Sequence, residues 1–280
     1  MKRKEINFAA VPKKMLLYIG LTIFSIINLI PFFWMISASF KMDNQVFHFP
    51  IDWIPDEPTL INYSDVVHKM PFLSYYFNSL KIAVACTIVQ VLASALAAYA
   101  FAKIDFKFKN LIFSLFTATM MIPWHSIMIP QFMIVKELGL YDTHTALVLI
   151  QVFSAFGIFM LRQFFLGIPQ ELSEAARMDG ASELRTFWQI ILPQAKPAIA
   201  TLCIFVFMNM FNDYLAPLMY LNSTEKYTVQ LGLKYFQSEY SVNYAAIMAG
   251  TVCALIPVII VYLTCEKQIT KSVTMTGIKG

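Results

Sequence analysis

The interval Ile168-Pro169-Gln170-Glu171-Leu172-Ser173-Glu174-Ala175-Ala176-Arg177-Met178-Asp179-Gly180-Ala181-Ser182, continued by Phe187, Ile190, Leu192-Pro193 and Pro197, is the one polar stretch that reads as ordered helix rather than as connector. Pro169 suits a first helical turn, where no amide hydrogen bond is lost. Glu171 and Glu174 sit near that positive helix end, where acidic side chains are favoured. Ala175-Ala176 forms helix readily and carries almost no side chain, so another protein's surface could approach the backbone. Gly180 fits a left-handed terminating position that a residue with a Cβ resists. Ser182 is placed to cap a second short helix ending at Leu192-Pro193. The pattern is helix, glycine break, helix, and it predicts a docking element between two apolar segments.

Those flanks extend into a chain that is apolar nearly throughout. Hydrophobic residues make up 58% of the 280 and charged ones 14%, with a mean hydropathy of +0.62. A soluble domain is nearer half apolar and a quarter charged. The excess lies in runs of about 20 residues, the length that spans a bilayer core. The net charge of +4 is explained by where the basic residues lie, not by a nucleic-acid partner. Cys86, Cys203, Cys253 and Cys265 lie in or at the ends of apolar spans without metal-like spacing. They predict buried small residues rather than a disulfide framework or a metal site.

The pattern predicts an all-α membrane protein with six transmembrane helices. Residues 1–14 form a basic segment with Lys2, Arg3, Lys4, Lys13 and Lys14, and 15–36 is the first span. That run exceeds the ~7–15-residue apolar core of a signal peptide, which predicts an uncleaved helix. Residues 37–77 form an extracytoplasmic loop with Trp53, and 78–265 form a core of five further spans that carries the loop 168–197. Within it the expected spans are Ser79–Ala102, Leu111–Val135 with bends at Pro123 and Pro130, Thr145–Phe165, Ala198–Leu221 and Ala245–Cys265. A tail, 266–280, ends the chain. Six spans put both termini on one side. That side holds Lys103–Lys109, Arg162–Lys196 and both ends, with three times the basic residues of the opposite loops. The asymmetry predicts that both termini and the 168–197 loop are cytoplasmic.

The loop resembles the Glu-Ala-Ala (EAA) loop of the permease subunits of ATP-binding-cassette (ABC) importers. Glu174-Ala175-Ala176, Asp179-Gly180-Ala181, Ile190 and Leu192-Pro193 fall at that family's spacing. Asn78-Ser79-Leu80, Ala98-Tyr99-Ala100-Phe101-Ala102 and Phe164-Phe165-x-x-Ile168-Pro169 resemble the carbohydrate-importer branch. So do Phe211-Asn212-Asp213-Tyr214-x-x-Pro217-Leu218 and Gly277-Ile278-Lys279-Gly280. Features are also shared with permeases for glycerol phosphate esters.

The resemblance implies a type I importer-like permease fold in a bacterial inner membrane and import of a sugar or related polyol. Glu174, Ala175, Ala176, Asp179, Gly180 and Ala181 would couple to an ATPase, with Pro169, Ile190, Leu192 and Pro193 as structural residues of the loop. The implied partners are an ATPase pair that binds ATP and magnesium, a second homologous permease, an extracytoplasmic solute-binding protein and lipid. The chain itself needs no cofactor. Gly277 and Lys279 would touch the ATPase pair, as that family's tail does.

No Gly-x-x-x-x-Gly-Lys-Ser/Thr, His-Glu-x-x-His or Gly-x-Ser-x-Gly occurs, so no catalytic residue is expected. Rival functions are a self-sufficient secondary carrier, whose mark is paired broken helices, and an integral-membrane enzyme. Asp213 would cost about 2.5–3.5 kcal/mol deep in the bilayer, so it should face protein or water. Asn212, Asp213 and Tyr214 are candidate pathway or packing groups, and His125 is either a polar gate or a helix-packing group beside Pro123.

Overall fold

The computed structural model describes residues 11–237 and 242–277, with side chains over 14–234, 236–237 and 242–266. Every regular element among them is helical. In chain order these are α1 (Val11–Ser39), α2 (Ile61–His68), α3 (Phe72–Lys103), α4 (Lys109–Ala118), α5 (Trp124–Glu137), α6 (His144–Leu149) and α7 (Ala155–Leu166). Then come α8 (Glu171–Met178), α9 (Glu183–Thr186), α10 (Leu192–Gln194), α11 (Lys196–Phe211), α12 (Leu215–Tyr220), α13 (Val229–Gly232) and α14 (Tyr244–Gly277).

Three helices are long and apolar enough to cross a bilayer: Lys14–Ser39, Phe72–Lys103 and Tyr244–Glu266. Two bent pairs raise that to five if each is one span: Lys109–Met121 with Trp124–Glu137, bent by 101°, and Glu183–Gln194 with Lys196–Phe211, bent by 83°. The described residues fall into two compact units.

The described parts of Met1–Met70 and Tyr235–Cys253 form the first unit. Pro31 sits inside α1 without ending it, and the side chains of residues 14–33 are exposed. The end of α1 is tied down by polar groups: the Asn62 amide donates to the carbonyls of Ser39 (2.9 Å) and Lys41 (2.7 Å). The buried Lys41 ammonium donates to the Asp52 carbonyl, so its charge is solvated by backbone. Ala38, Val46 and Ala245 pack together, with Trp34 and Met248 beside them.

The second unit is the described part of Pro71–Lys234 and Ala254–Gly280, and it is built on α3. Small residues along α3 (Ser79, Ala83, Ser94, Ala95, Ala98) are buried, and α7 and α11 pack against it. Small side chains let helix backbones approach closely in lipid, where dispersion rather than water expulsion holds helices together. Gly157 of α7 shows how close: a Cβ there would meet Ser94 Oγ at 2.6 Å.

Several span boundaries differ from the sequence expectation. α3 begins at Phe72, within the segment expected to be loop. Pro123 bends its span as expected, but Pro130 lies inside a continuous α5. The expected span Thr145–Phe165 is two helices, because Ser154 accepts from the Gly157 amide (3.1 Å) and caps a new helix. The expected span Ala198–Leu221 also breaks: α11 ends at Phe211, and Asp213 Oδ1 accepts from the Ala216 amide (3.2 Å) at the start of α12. α14 continues through the expected tail to Gly277 without a boundary at 266. Lys279 lies outside the described residues.

Candidate functional site: the helical loop on the bundle end

Pro169 lies just before α8 rather than in its first turn, and Gln170 is the N-cap residue. Glu171 and Glu174 occupy that first turn, as dipole complementarity favours. The other end of α8 is a Schellman motif. Gly180 has φ +79°, its amide donates to the Arg177 carbonyl (3.0 Å), and the Ala181 amide reaches back to the Ala176 carbonyl (2.9 Å). Beyond Gly180 and its two chain neighbours, no heavy atom lies within 4 Å of where a Gly180 Cβ would stand. Glycine is required there by backbone conformation, not by space.

Ser182 caps α9 by accepting from the Arg185 amide (3.3 Å). The chain then widens into a π turn over Phe187–Ile191, closed by the Leu192 amide donating to the Phe187 carbonyl. Pro193 has no amide hydrogen to give the Gln189 carbonyl, so the ladder shifts by one residue upstream of it. The second helix therefore reaches Gln194, two residues past Leu192, before the turn at Ala195 into α11.

One side of this hairpin is welded to the bundle. Phe187, Ile191 and Ala195 are fully buried in one cluster with Tyr99 and Ala102 of α3, Leu161 and Phe165 of α7, and Ala198 and Leu202 of α11. Ile190 and Leu192 are half-buried against the same cluster. A polar clasp lies beside it. Glu183 accepts from Arg177 Nε (Oε1, 2.7 Å) and from the Tyr99 hydroxyl (Oε2, 2.7 Å). Arg177 Nη2 also donates to the Lys103 carbonyl (3.3 Å), and Lys103 Nζ donates to the Ile168 carbonyl (2.5 Å). The Arg177 guanidinium, and then the Tyr99 hydroxyl, hold the Glu183 carboxyl below the usual carboxylate range.

The opposite side is open. Glu174, Ala175, Asp179 and Gly180 are exposed, whereas Ala176 turns inward and is buried; Ala181 is half-buried and Pro193 exposed. Leu172, Met178, Leu184 and Trp188 are large apolar residues left uncovered, Met178 at 88%. An amphipathic rod whose buried face is fixed to a helix bundle transmits displacement as a rigid body. That is the mechanical property a lever needs.

The structure thus brings residues 174–193 together and leaves the remaining candidates elsewhere. His125 is exposed in the first turn of α5, with its ring edge-on to Trp124 (5.7 Å), and forms no hydrogen bond among the described residues. Asn212 donates to the Met208 carbonyl (2.9 Å) and accepts from Gln230 (3.3 Å), so it closes the end of α11. Tyr214 is 37% exposed at the α12 N-cap. Gly277 is the last residue of α14.

The clasp residues Tyr99, Lys103, Arg177 and Glu183 were not singled out from sequence. A second unforeseen polar site holds the 139–144 turn: Asp142, at φ +59°, accepts from the amides of Asn222 (2.9 Å) and Ser223 (3.0 Å), the Ser223 hydroxyl (2.5 Å) and Lys226 Nζ (2.9 Å). The Ser223 hydroxyl and the two amides, then Lys226, hold its carboxyl far below the usual range.

Comparison with known proteins places this geometry. The family described as "Binding-protein-dependent transport system inner membrane component" matches residues 90–272. The chain belongs to that family. This permease is 33% identical over 269 residues to the arabinooligosaccharides transport system permease protein of Bacillus subtilis, covering 94% of this chain and 96% of that protein. It is 34% identical over 273 residues to the trehalose/maltose transport system permease protein of Thermococcus litoralis, covering 96% and 98%. Its fold is similar to a chain in the crystal structure of a bacterial ABC transporter involved in the import of the acidic polysaccharide alginate. There the TM-score is 0.82 at 26% identity, covering 95% of this chain and 100% of that one.

The chain is therefore a non-catalytic permease component of a binding-protein-dependent ABC importer, and a membrane protein. The paired helix breaks at 150–154 and 212–214 are what a secondary carrier would show. In this family they belong to a permease.

Proposed function

We propose that the permease forms half of a translocation pathway for a sugar or related polyol, with six membrane spans and both termini in the cytoplasm of a bacterium. In this assignment residues 15–36 and five further spans within 78–265 cross the inner membrane, 37–77 face outward, and 266–280 are cytoplasmic. The cargo class follows the oligosaccharide relatives; the topology follows the basic residues, since Lys103, Lys107, Lys109, Arg162, Arg177, Arg185 and Lys196 all lie at the end of the bundle that carries α8. ATP and magnesium are bound by a separate ATPase pair. A two-fold motor needs two loops, so a second homologous permease completes the complex. An extracytoplasmic solute-binding protein delivers cargo to the outer loops.

The observation that supports coupling through this loop is its two-sidedness. Phe187, Ile191 and the Glu183 clasp fix one face to α3, α7 and α11, while Leu172, Ala175 and Met178 present an uncovered apolar ridge edged by Glu171, Glu174 and Asp179. ATP-driven closure of the motor would displace α8, and the bundle would follow as a biased two-state equilibrium. The test is Met178→Asp, which places a charge on the most exposed residue of the ridge. The expected result is loss of the ATPase pair from the purified complex; retention of the ATPase with normal uptake would remove α8 from the motor interface.

A further inference from the structure

The second unit contains a cavity of about 580 Å³ that the loop does not touch, in the size range of small-molecule sites. Gln90 lies close to the middle of the 32-residue α3 and forms one wall. The two helix breaks form others: Gln151 and Ser154 from the 150–154 break, and Asp213 from the 212–214 break, with Asn209 of α11 between. Breaks at mid-helix depth are where membrane transporters expose polar backbone and side chains to cargo.

The polar groups here keep unused hydrogen-bonding capacity. Gln90 is 8% exposed, yet its Oε1 has no hydrogen-bond partner among the described residues. A buried acceptor left unpaired has its desolvation cost uncompensated, so such a group calls for a donor from outside the chain. Asn209 forms no hydrogen bond among the described residues. Ser154 accepts from the Gly157 amide, which leaves its hydroxyl proton free to donate. Asp213 uses Oδ1 for the Ala216 amide. Phe156 and Phe205, edge-to-face at 6.2 Å, supply an apolar wall. Among the described residues lining the cavity, none carries a positive charge, and one carries a carboxylate.

We propose that this cavity is a subsite on this chain for an uncharged polyhydroxylated ligand, and that it disfavours anionic saccharides. Hydroxyl groups both donate and accept. They satisfy the Gln90 carbonyl and the Asp213 carboxylate while accepting from Ser154, Asn209 and Gln151, and ring C–H faces lie on Phe156 and Phe205. A uronate or sulfonate would enter a site that offers no cation and would lie beside the Asp213 carboxylate, a like-charge juxtaposition that disfavours it. The alginate importer resembled by this fold takes an acidic cargo; the chemistry of this cavity points the other way. The proposal rests on the saccharide cargo assigned above.

The test is saturation-transfer NMR on the detergent-purified importer complex without its solute-binding protein, using maltose and lactose as neutral probes and an unsaturated alginate disaccharide as the acidic one. Transfer is expected to a neutral probe and not to the acidic one. Gln90→Leu and Asn209→Leu should each weaken the neutral signal about fivefold, the worth of one hydrogen bond. Asn209 is exposed, so its variant remains informative if Gln90→Leu fails to co-purify with the ATPase. Stronger transfer to the acidic disaccharide, or neutral binding unchanged in both variants, overturns the subsite. ATP-driven uptake assays on whole cells separate the two levels: uptake of non-saccharide cargo alone defeats the cargo assignment, whereas neutral-sugar uptake with unaltered variants defeats only the cavity.

Discussion

Replacing Gly180 with valine isolates the conformational requirement at the tip of the loop. A β-branched residue at φ +79° costs about 1–3 kcal/mol in backbone strain. The Cβ itself is uncrowded, because no atom beyond the adjoining residues lies within 4 Å of it. If the chain relaxes instead, it gives up the Gly180–Arg177 and Ala181–Ala176 backbone bonds, each worth about 0.5–1.5 kcal/mol net. Either route stays below the ~5–15 kcal/mol that holds a typical domain together, so the variant should fold and assemble. What changes is the angle between α8 and α9, and a free-energy penalty of ~1–3 kcal/mol corresponds to a roughly 5–150-fold change in a coupled equilibrium. The assay compares uptake with ATP hydrolysis in the reconstituted importer. Gly180→Val is expected to retain the ATPase and its hydrolysis while uptake falls about fivefold or more. Gly180→Asn, which tolerates the left-handed region, should recover most of the loss. Uptake by Gly180→Val equal to wild type, or Gly180→Asn as impaired as Gly180→Val, would refute the requirement for this backbone turn.

Phe187→Ala should lower the melting temperature of the detergent-solubilised permease by an amount equivalent to about 3–5 kcal/mol, because the ring is fully buried among three helices; a change below 1 kcal/mol would mean, on the same ~3–5 kcal/mol scale, that the loop is not anchored there. In the clasp, a double-mutant cycle of Tyr99→Phe and Glu183→Gln should give a coupling energy of about 0.5–3 kcal/mol, and strict additivity would show that the two groups do not interact. The pH dependence has a definite sign. The Asp142 carboxyl is depressed below its unfolded value, so its contribution is complete above about pH 4 and is lost as the pH falls towards the lower folded value. Thermal stability of the wild type should therefore drop between about pH 4 and pH 3, with a shallower drop in Asp142→Asn, and parallel curves would contradict the assignment.

The class of this protein was legible in its residues because membrane insertion depends on the length and apolarity of local runs. The same holds for the helix-break-helix loop: Gly180 is left-handed and Ser182 caps, as their local chemistry requires. The two internal breaks were harder to see. Ser154 and Asp213 lie within stretches long enough to be single spans, and each starts a new helix by one side-chain hydrogen bond from an amide three residues on.

Local chemistry in the residue order settles what is helical and where the helix-break-helix loop falls, since caps, glycine conformers and span lengths act over a few neighbouring positions. Only the folded chain joins Tyr99 to Glu183 across 84 residues and sinks Phe187 into the bundle. The same folding sets Gln90, Asn209 and Asp213 around one cavity. Those pairings depend on which helix faces pack, and packing partners far apart in the chain leave no mark on the local pattern of either segment.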